Sequence, residues 1–240
     1  MTLYITRGTL ASLCAERSLD GFCLMSAGGG GRLRMVPKPG HLVRYRAGTP
    51  LDVLFEPGHI VTAWTAADGS RQARRIEANG GDLFGLVNDP LSLFRPGTDG
   101  AAAPCPDDPT PHAFGFDRET FAMLLRHAAI GDMLFGSDGR ECTFQFQVAH
   151  GFAGTCDRPP RDWIGVEFSD HAVELGWFDW NGTFRMRSLQ LPRDMAEAAR
   201  LAADPLSPVM RDGIGANMAE AEAGIAGLMK RLEAGFADPR

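Results

Sequence analysis

Residues 32–87 consist of short alternations of polar and apolar residues, each cut off by a turn containing Pro or Gly. This pattern restricts the region to an antiparallel meander. Arg32–Val36 alternates, Pro37–Gly40 turns the chain, and Leu42–Arg46 alternates again. Leu51–Phe55, His59–Thr65 and Arg71–Ala78 follow, joined by Glu56–Gly58, Ala67–Gly69 and Asn79–Gly81, and Asp82–Val87 closes the set. Pro fixes φ and Gly accepts positive φ, so such connectors reverse the chain within a few residues. Consecutive strands joined this way pair antiparallel. Upstream, Leu3–Thr6 reads as a short strand. Thr9–Leu19 reads as a helix with Leu10, Leu13 and Cys14 on one side.

The second half has its own meander. Asp117 is placed to cap a helix running to Ala129, with Phe121, Leu124, Leu125 and Ala128 on one face. Cys142, Phe144, Phe146 and Val148 alternate with Thr143, Gln145 and Gln147, and Ile164, Val166 and Phe168 line one side of the next strand. Glu174–Leu191 reads as a hairpin turning at Asn181-Gly182, the preferred type I′ pair. That turn would put Phe178, Trp180, Arg185 and Arg187 on one face, and Trp177, Asp179, Phe184 and Met186 on the other. Asp194–Ala203 reads as a helix. Asn217–Glu220 has capping-box form and opens a last one, with Met218, Ala221, Ile225, Leu228, Leu232 and Phe236 at helical spacing. Both halves share a helix-then-meander order, without a convincing repeat in the residues themselves.

The expected fold class is α+β, with antiparallel β-meanders, a central helix and C-terminal helices. A barrel-like closure is compatible with the strand order. The expected division is 1–95 as an N-terminal meander half, 96–116 as a Pro/Gly/Ala-rich loop or linker, and 117–240 as helix, sheet and C-terminal helices.

A net charge of −6 argues against a general nucleic-acid binder, which needs a basic surface to neutralise phosphate. The start of the chain carries Arg7, Glu16 and Arg17 and no unbroken apolar run, so a secretory signal is not expected there. No apolar stretch approaches the length of a membrane span. The five cysteines are odd in number and lack CxxC spacing, which fits a reducing compartment and makes the cytoplasm the expected location.

No motif names a reaction or a cofactor. The Gly28–Gly31 run lacks the Lys-Ser/Thr of a phosphate loop and reads as a turn. Arg32, Arg34, Arg44 and Arg46 would share one face if their two strands formed a hairpin, and could then fork onto a carboxylate or phosphate. Between His150 and Asp179, the residues His150, Cys156, Asp157, Asp170 and His171 fall at strand ends or in loops. Cys156 with His150 or His171 would suit a thiolate nucleophile and its base, or the same three a zinc ion, although the spacing matches no metal pattern. Asp179 among aromatics would suit a general acid, or a salt bridge to a nearby Arg. Phe178, Trp180, Arg185 and Arg187 would suit a wall for a ligand.

The function expected on these grounds is a non-catalytic binding or assembly protein recognising a small anionic or aromatic ligand or a protein partner. A homodimer through 217–236 is one form of it. The alternative is a small hydrolase- or lyase-type enzyme using Cys156 or Asp179 with His150 or His171.

Overall fold

The computed structural model describes residues 3–28, 30–40, 45–56, 58–77, 89–94, 100–137, 141–149, 152, 155–156 and 161–210. It is an α+β structure of two antiparallel sheets. The chain runs β1 (Leu3–Thr6), α1 (Arg7–Ala15), β2 (Leu19–Ser26), β3 (Gly31–Pro37), β4 (Leu51–Glu56), β5 (His59–Thr65) and β6 (Arg71–Glu77). A 3₁₀ turn (Pro90–Phe94) leads to β7 (Ala101–Ala102), β8 (Gly115–Asp117) and α2 (Arg118–Arg126). Then come β9 (Ile130–Ser137), β10 (Cys142–Val148), β11 (Trp163–Phe168), β12 (Ala172–Phe178), β13 (Phe184–Gln190) and α3 (Met195–Ala203).

Sheet A has the order β1-β9-β10-β11-β12-β13, and sheet B the order β7-β6-β5-β4-β3-β2-β8. Neither closes into a barrel. Their inner faces meet over one apolar core whose centre is phenylalanine: Phe116 stands 4.9 Å from Phe144, 5.6 Å from Phe168 and 6.1 Å from Phe121. Among the described residues no helix is long and apolar enough to cross a membrane.

The two halves are copies of one plan. α1 and α2 start 111 positions apart, as do β2 and β9, and β3 and β10. From β4 and β11 onward the strand pairing matches at a spacing of 113, and the registers superpose. Leu24 pairs with Leu33 as Phe135 does with Phe144, Val53 with Thr62 as Val166 with Leu175, and Thr62 with Arg74 as Leu175 with Arg187.

Each half gives its opening strand to the other half's sheet. β1 pairs with β9, and β8 pairs with β2. Two arginines at matching positions close the exchange. Arg7 donates to the carbonyls of Leu125, Ile130 and Gly131 at 3.0, 3.3 and 2.6 Å. Arg118 donates to those of Cys14, Leu19 and Asp20, each 111 positions earlier, and also to Glu16. These carbonyls lie at helix ends and strand starts, and those of the last helical turn have no partner within the helix.

The sequence reading and the structure differ at particular places. The first helix covers Arg7–Ala15, and Leu19 opens a strand instead of ending the helix. β3 pairs with β2 and β4, so the expected hairpin between the Arg32 and Arg46 strands is not formed. Tyr45 makes a single bridge to Ala66, and residues 41–44 lie outside the described residues. Within the stretch expected as a linker, β7 pairs with β6 and β8 with β2. The strand expected at Asp82–Val87 and the helix expected at 217–236 fall outside the described residues.

The hairpin at Asn181-Gly182 has a three-residue loop in place of a type I′ turn. Asp179 N–H donates to Thr183 at 2.9 Å and Gly182 N–H to Asp179 at 2.8 Å, with Gly182 at φ 81°. The extra loop residue slips the register by one, which moves every side chain to the other face. Phe178 therefore pairs with Phe184, and Trp177 with Arg185.

Candidate functional site

Among the described residues, Cys156 lies beside Asp179, and His171 is brought to neither. His150 lies outside the described residues. Cys156 is buried, and its backbone N–H donates to Phe178 at 3.2 Å beside a bridge from Thr155 to Asp179. His171 stands exposed before the start of β12, while Asp179 follows its end. At about 3.3 Å per strand residue, they are more than about 20 Å apart. Asp179 has its partners already. Oδ1 accepts from Thr183 N–H at 2.9 Å, and Oδ2 from Arg185 Nε at 2.8 Å. The register slip put Arg185 on the same face as Asp179, and this pair is the result. Among the described residues no group of three or more His, Cys, Asp or Glu could hold a metal ion.

Arg32 and Arg34 do share a face, but it is covered. Their side of sheet B also carries Asp52, paired with Arg34 across β3 and β4. Arg34 forks onto both Asp52 oxygens at 2.7 and 2.8 Å. Residues 106–108 cross over them: Arg32 Nη2 donates to the Asp107 carbonyl at 2.7 Å, Arg71 to the Pro106 carbonyl at 2.8 Å, and Arg34 stands 3.6 Å from Asp108. Arg32 is only 3% exposed. Arg46 is exposed beside the end of β5, with its N–H on Thr65, and Arg44 lies outside the described residues. Among the described residues, Arg32 and Arg34 thus belong to a cluster with Asp52 in which Arg32 and Asp52 are buried and Arg34 is half-buried.

A cavity of about 480 Å³ opens next to Arg32. Its walls are Gly28, Gly30 and Gly31 of the glycine turn, the end of β4 at Leu54–Glu56, residues 106–110, and Asp170. The glycine turn leans on the opposite sheet. Gly31 N–H donates to Ser137 Oγ at 2.8 Å, and a Cβ at Gly31 would meet Ser137 Cβ at 2.9 Å.

The outer face of sheet A carries exposed apolar residues among those described. Tyr4, Phe184 and Met186 are 55, 55 and 61% exposed, and Trp180 at the adjoining turn is 41% exposed. Phe178 meets Phe184 in a tilted ring contact at 5.3 Å and lies under the Arg161 guanidinium at 5.2 Å. Arg187, also turned to the inner side, makes an ion pair with Glu197 of α3.

The sheet edges differ in length. β7, β8 and β1 have two, three and four residues, whereas β13 has seven. Leu191 N–H bonds to His171, and Thr183 C=O accepts from Asp179, so the odd-numbered residues of β13 face β12. Phe184, Met186, Ser188 and Gln190 therefore direct their N–H and C=O groups outward. Asp194 takes those of Gln190, at 2.8 Å in both directions. No described residue pairs with the outward groups of 184, 186 and 188.

Sequence reasoning missed Asp52 and the bare edge. Asp52 carried a signal: a charged residue inside the run Leu51–Phe55 demands a buried partner. No protein-family model matches the chain, and no curated protein or solved structure matches it.

Proposed function

We propose that this is a non-catalytic binding and assembly protein that joins a second copy of itself by strand addition along β13. The observation that carries this reading is the length and bareness of that edge. Folded proteins keep sheet edges short, charged or covered, because unpaired backbone groups recruit other strands. Among the described residues, the other three sheet edges follow the rule, whereas β13 leaves the outward groups of 184, 186 and 188 without a described partner and sets Phe184 and Met186 beside them.

A second copy fits because antiparallel addition of identical strands obeys a two-fold axis and closes after two chains. Arg185 and Arg187 do not oppose it, since Asp179 and Glu197 neutralise them within each chain. The separation of His171 from Cys156 and Asp179, the length of β12 apart, favours binding over catalysis. Five free cysteines suit a reducing compartment, and we place the protein in the cytoplasm.

Native mass spectrometry of the purified protein tests the reading. The wild type is expected as a dimer. Met186→Pro removes an outward N–H and should be a monomer with an unchanged circular-dichroism spectrum. Phe184→Asp, which keeps the backbone donor, should weaken the dimer as well. A monomeric wild type, or a dimer that survives both substitutions, overturns the proposal.

A further inference from the structure

Three buried polar atoms without a hydrogen-bond partner among the described residues belong to two side chains that line the same cavity. They are Arg32 Nε, Arg32 Nη1 and Asp170 Oδ1. Arg32 Nη1 stands 3.7 Å from Asp52, whose oxygens are already engaged by Arg34. Asp170 Oδ2 accepts from Gly28 N–H at 2.7 Å, which leaves its second oxygen over. Burial of a guanidinium with unused donors is costly, and desolvation pulls the Arg32 pKa below its ordinary value.

We propose that this cavity binds a small zwitterion, an α-amino acid or close relative, with its carboxylate on Arg32 and its ammonium on Asp170. The carboxylate supplies the acceptors that Nε and Nη1 lack. The ammonium supplies the donor that Asp170 Oδ1 lacks. A plain anion fits poorly, because Glu56, Asp107, Asp108 and Asp170 all line the cavity around a single arginine. A plain cation would leave the Arg32 donors unmet.

The volume of about 480 Å³ lies within the range of small-ligand sites. The glycine turn leaves that wall without side-chain bulk. The site occurs once in the molecule, since the position equivalent to Arg32 in the second half is Thr143.

The test is thermal shift with the standard L-amino acids, followed by titration calorimetry of any hit, with acetate and methylamine as half-probes. At least one amino acid should raise Tm, and neither half-probe should do so at the same concentration. Asp170→Asn and Arg32→Lys should each weaken binding about tenfold or more by removing a charge-assisted or forked contact. Arg32→Lys is in a buried cluster, and if it fails to fold, Asp170→Asn at the rim decides. The proposal is overturned if no amino acid shifts Tm, if acetate alone reproduces the shift, or if Asp170→Asn binds as the wild type does.

Discussion

On the outer face of sheet B, Arg32, Arg34 and Asp52 lie under residues 106–108. The superposable positions on sheet A are Thr143, Gln145 and Gly165, and no strap crosses them among the described residues. One ancestral-looking plan thus carries two different surfaces. In the first half a strap of chain crosses the sheet, and charge is buried where it is tied by hydrogen bonds. In the second half the same positions are neutral or small, and the apolar residues moved outward to Phe184 and Met186. The inner faces did not diverge this way: Leu33 and Phe144, Val53 and Val166, and Phe55 and Phe168 are all buried. Packing constrains both copies equally on the inside, whereas each outer face answers only to what covers it.

The comparison can be broken most severely at the exchanged strands. Phe116→Ala should cost about 4 kcal/mol, because this ring in β8 touches Phe114, Phe121, Phe144 and Phe168 across both sheets. Its counterpart Ile5→Ala should cost about 3 kcal/mol, and urea melts should show one transition in each case, since neither sheet is complete alone. Two separate transitions would mean that the halves fold independently.

Asp52→Ala strips the buried arginines of their carboxylate and should cost about 3 kcal/mol, while Gln145→Ala at the matching pair of strands should stay within about 0.5 kcal/mol. Equal effects in denaturant titrations would erase the distinction between the two outer faces. Arg118→Ala should cost about 2 kcal/mol and Arg7→Ala somewhat less, in line with their numbers of carbonyl partners.

The smallest effect is a pH limb carried by Cys14 and Cys23 of the first half. Burial pushes the Cys23 thiol from 9.0 up to about 12 and the Cys14 thiol up to about 11, whereas Leu134 and Leu125 stand at the matching positions. The unfolded chain releases these protons near pH 9 and the folded chain retains them. Their contribution is therefore complete below pH 9 and is lost as pH rises from 9 toward 12. Cys23→Ala should flatten the fall of Tm over that window. An unchanged profile would assign the alkaline loss to other groups.

Much of the fold was legible in the sequence. The limits of β4, β5 and β6, the Asp117 cap of α2 and the alternation of β10 all follow from local signals. A turn, a cap and a period act over a few residues, so the sequence carries them directly. The duplication was hidden because it keeps few identities. Arg7/Arg118, Thr9/Thr120, Ala11/Ala122, Leu13/Leu124 and Ser26/Ser137 match, while most core positions exchanged one apolar residue for another. The candidate sites were less legible still. Arg32 was visible as a binding residue, but its burial depends on a segment that lies more than seventy positions away in the chain.

By itself, the sequence determined the antiparallel meanders, their helices and the charge balance, because each depends on neighbours along the chain. Only the tertiary structure decided which half each opening strand completes, how one extra loop residue at Trp180 sets the faces of β13, and which outer face is covered. Those outcomes depend on contacts between distant segments, where a single-residue slip or a crossing strap exchanges inside for outside.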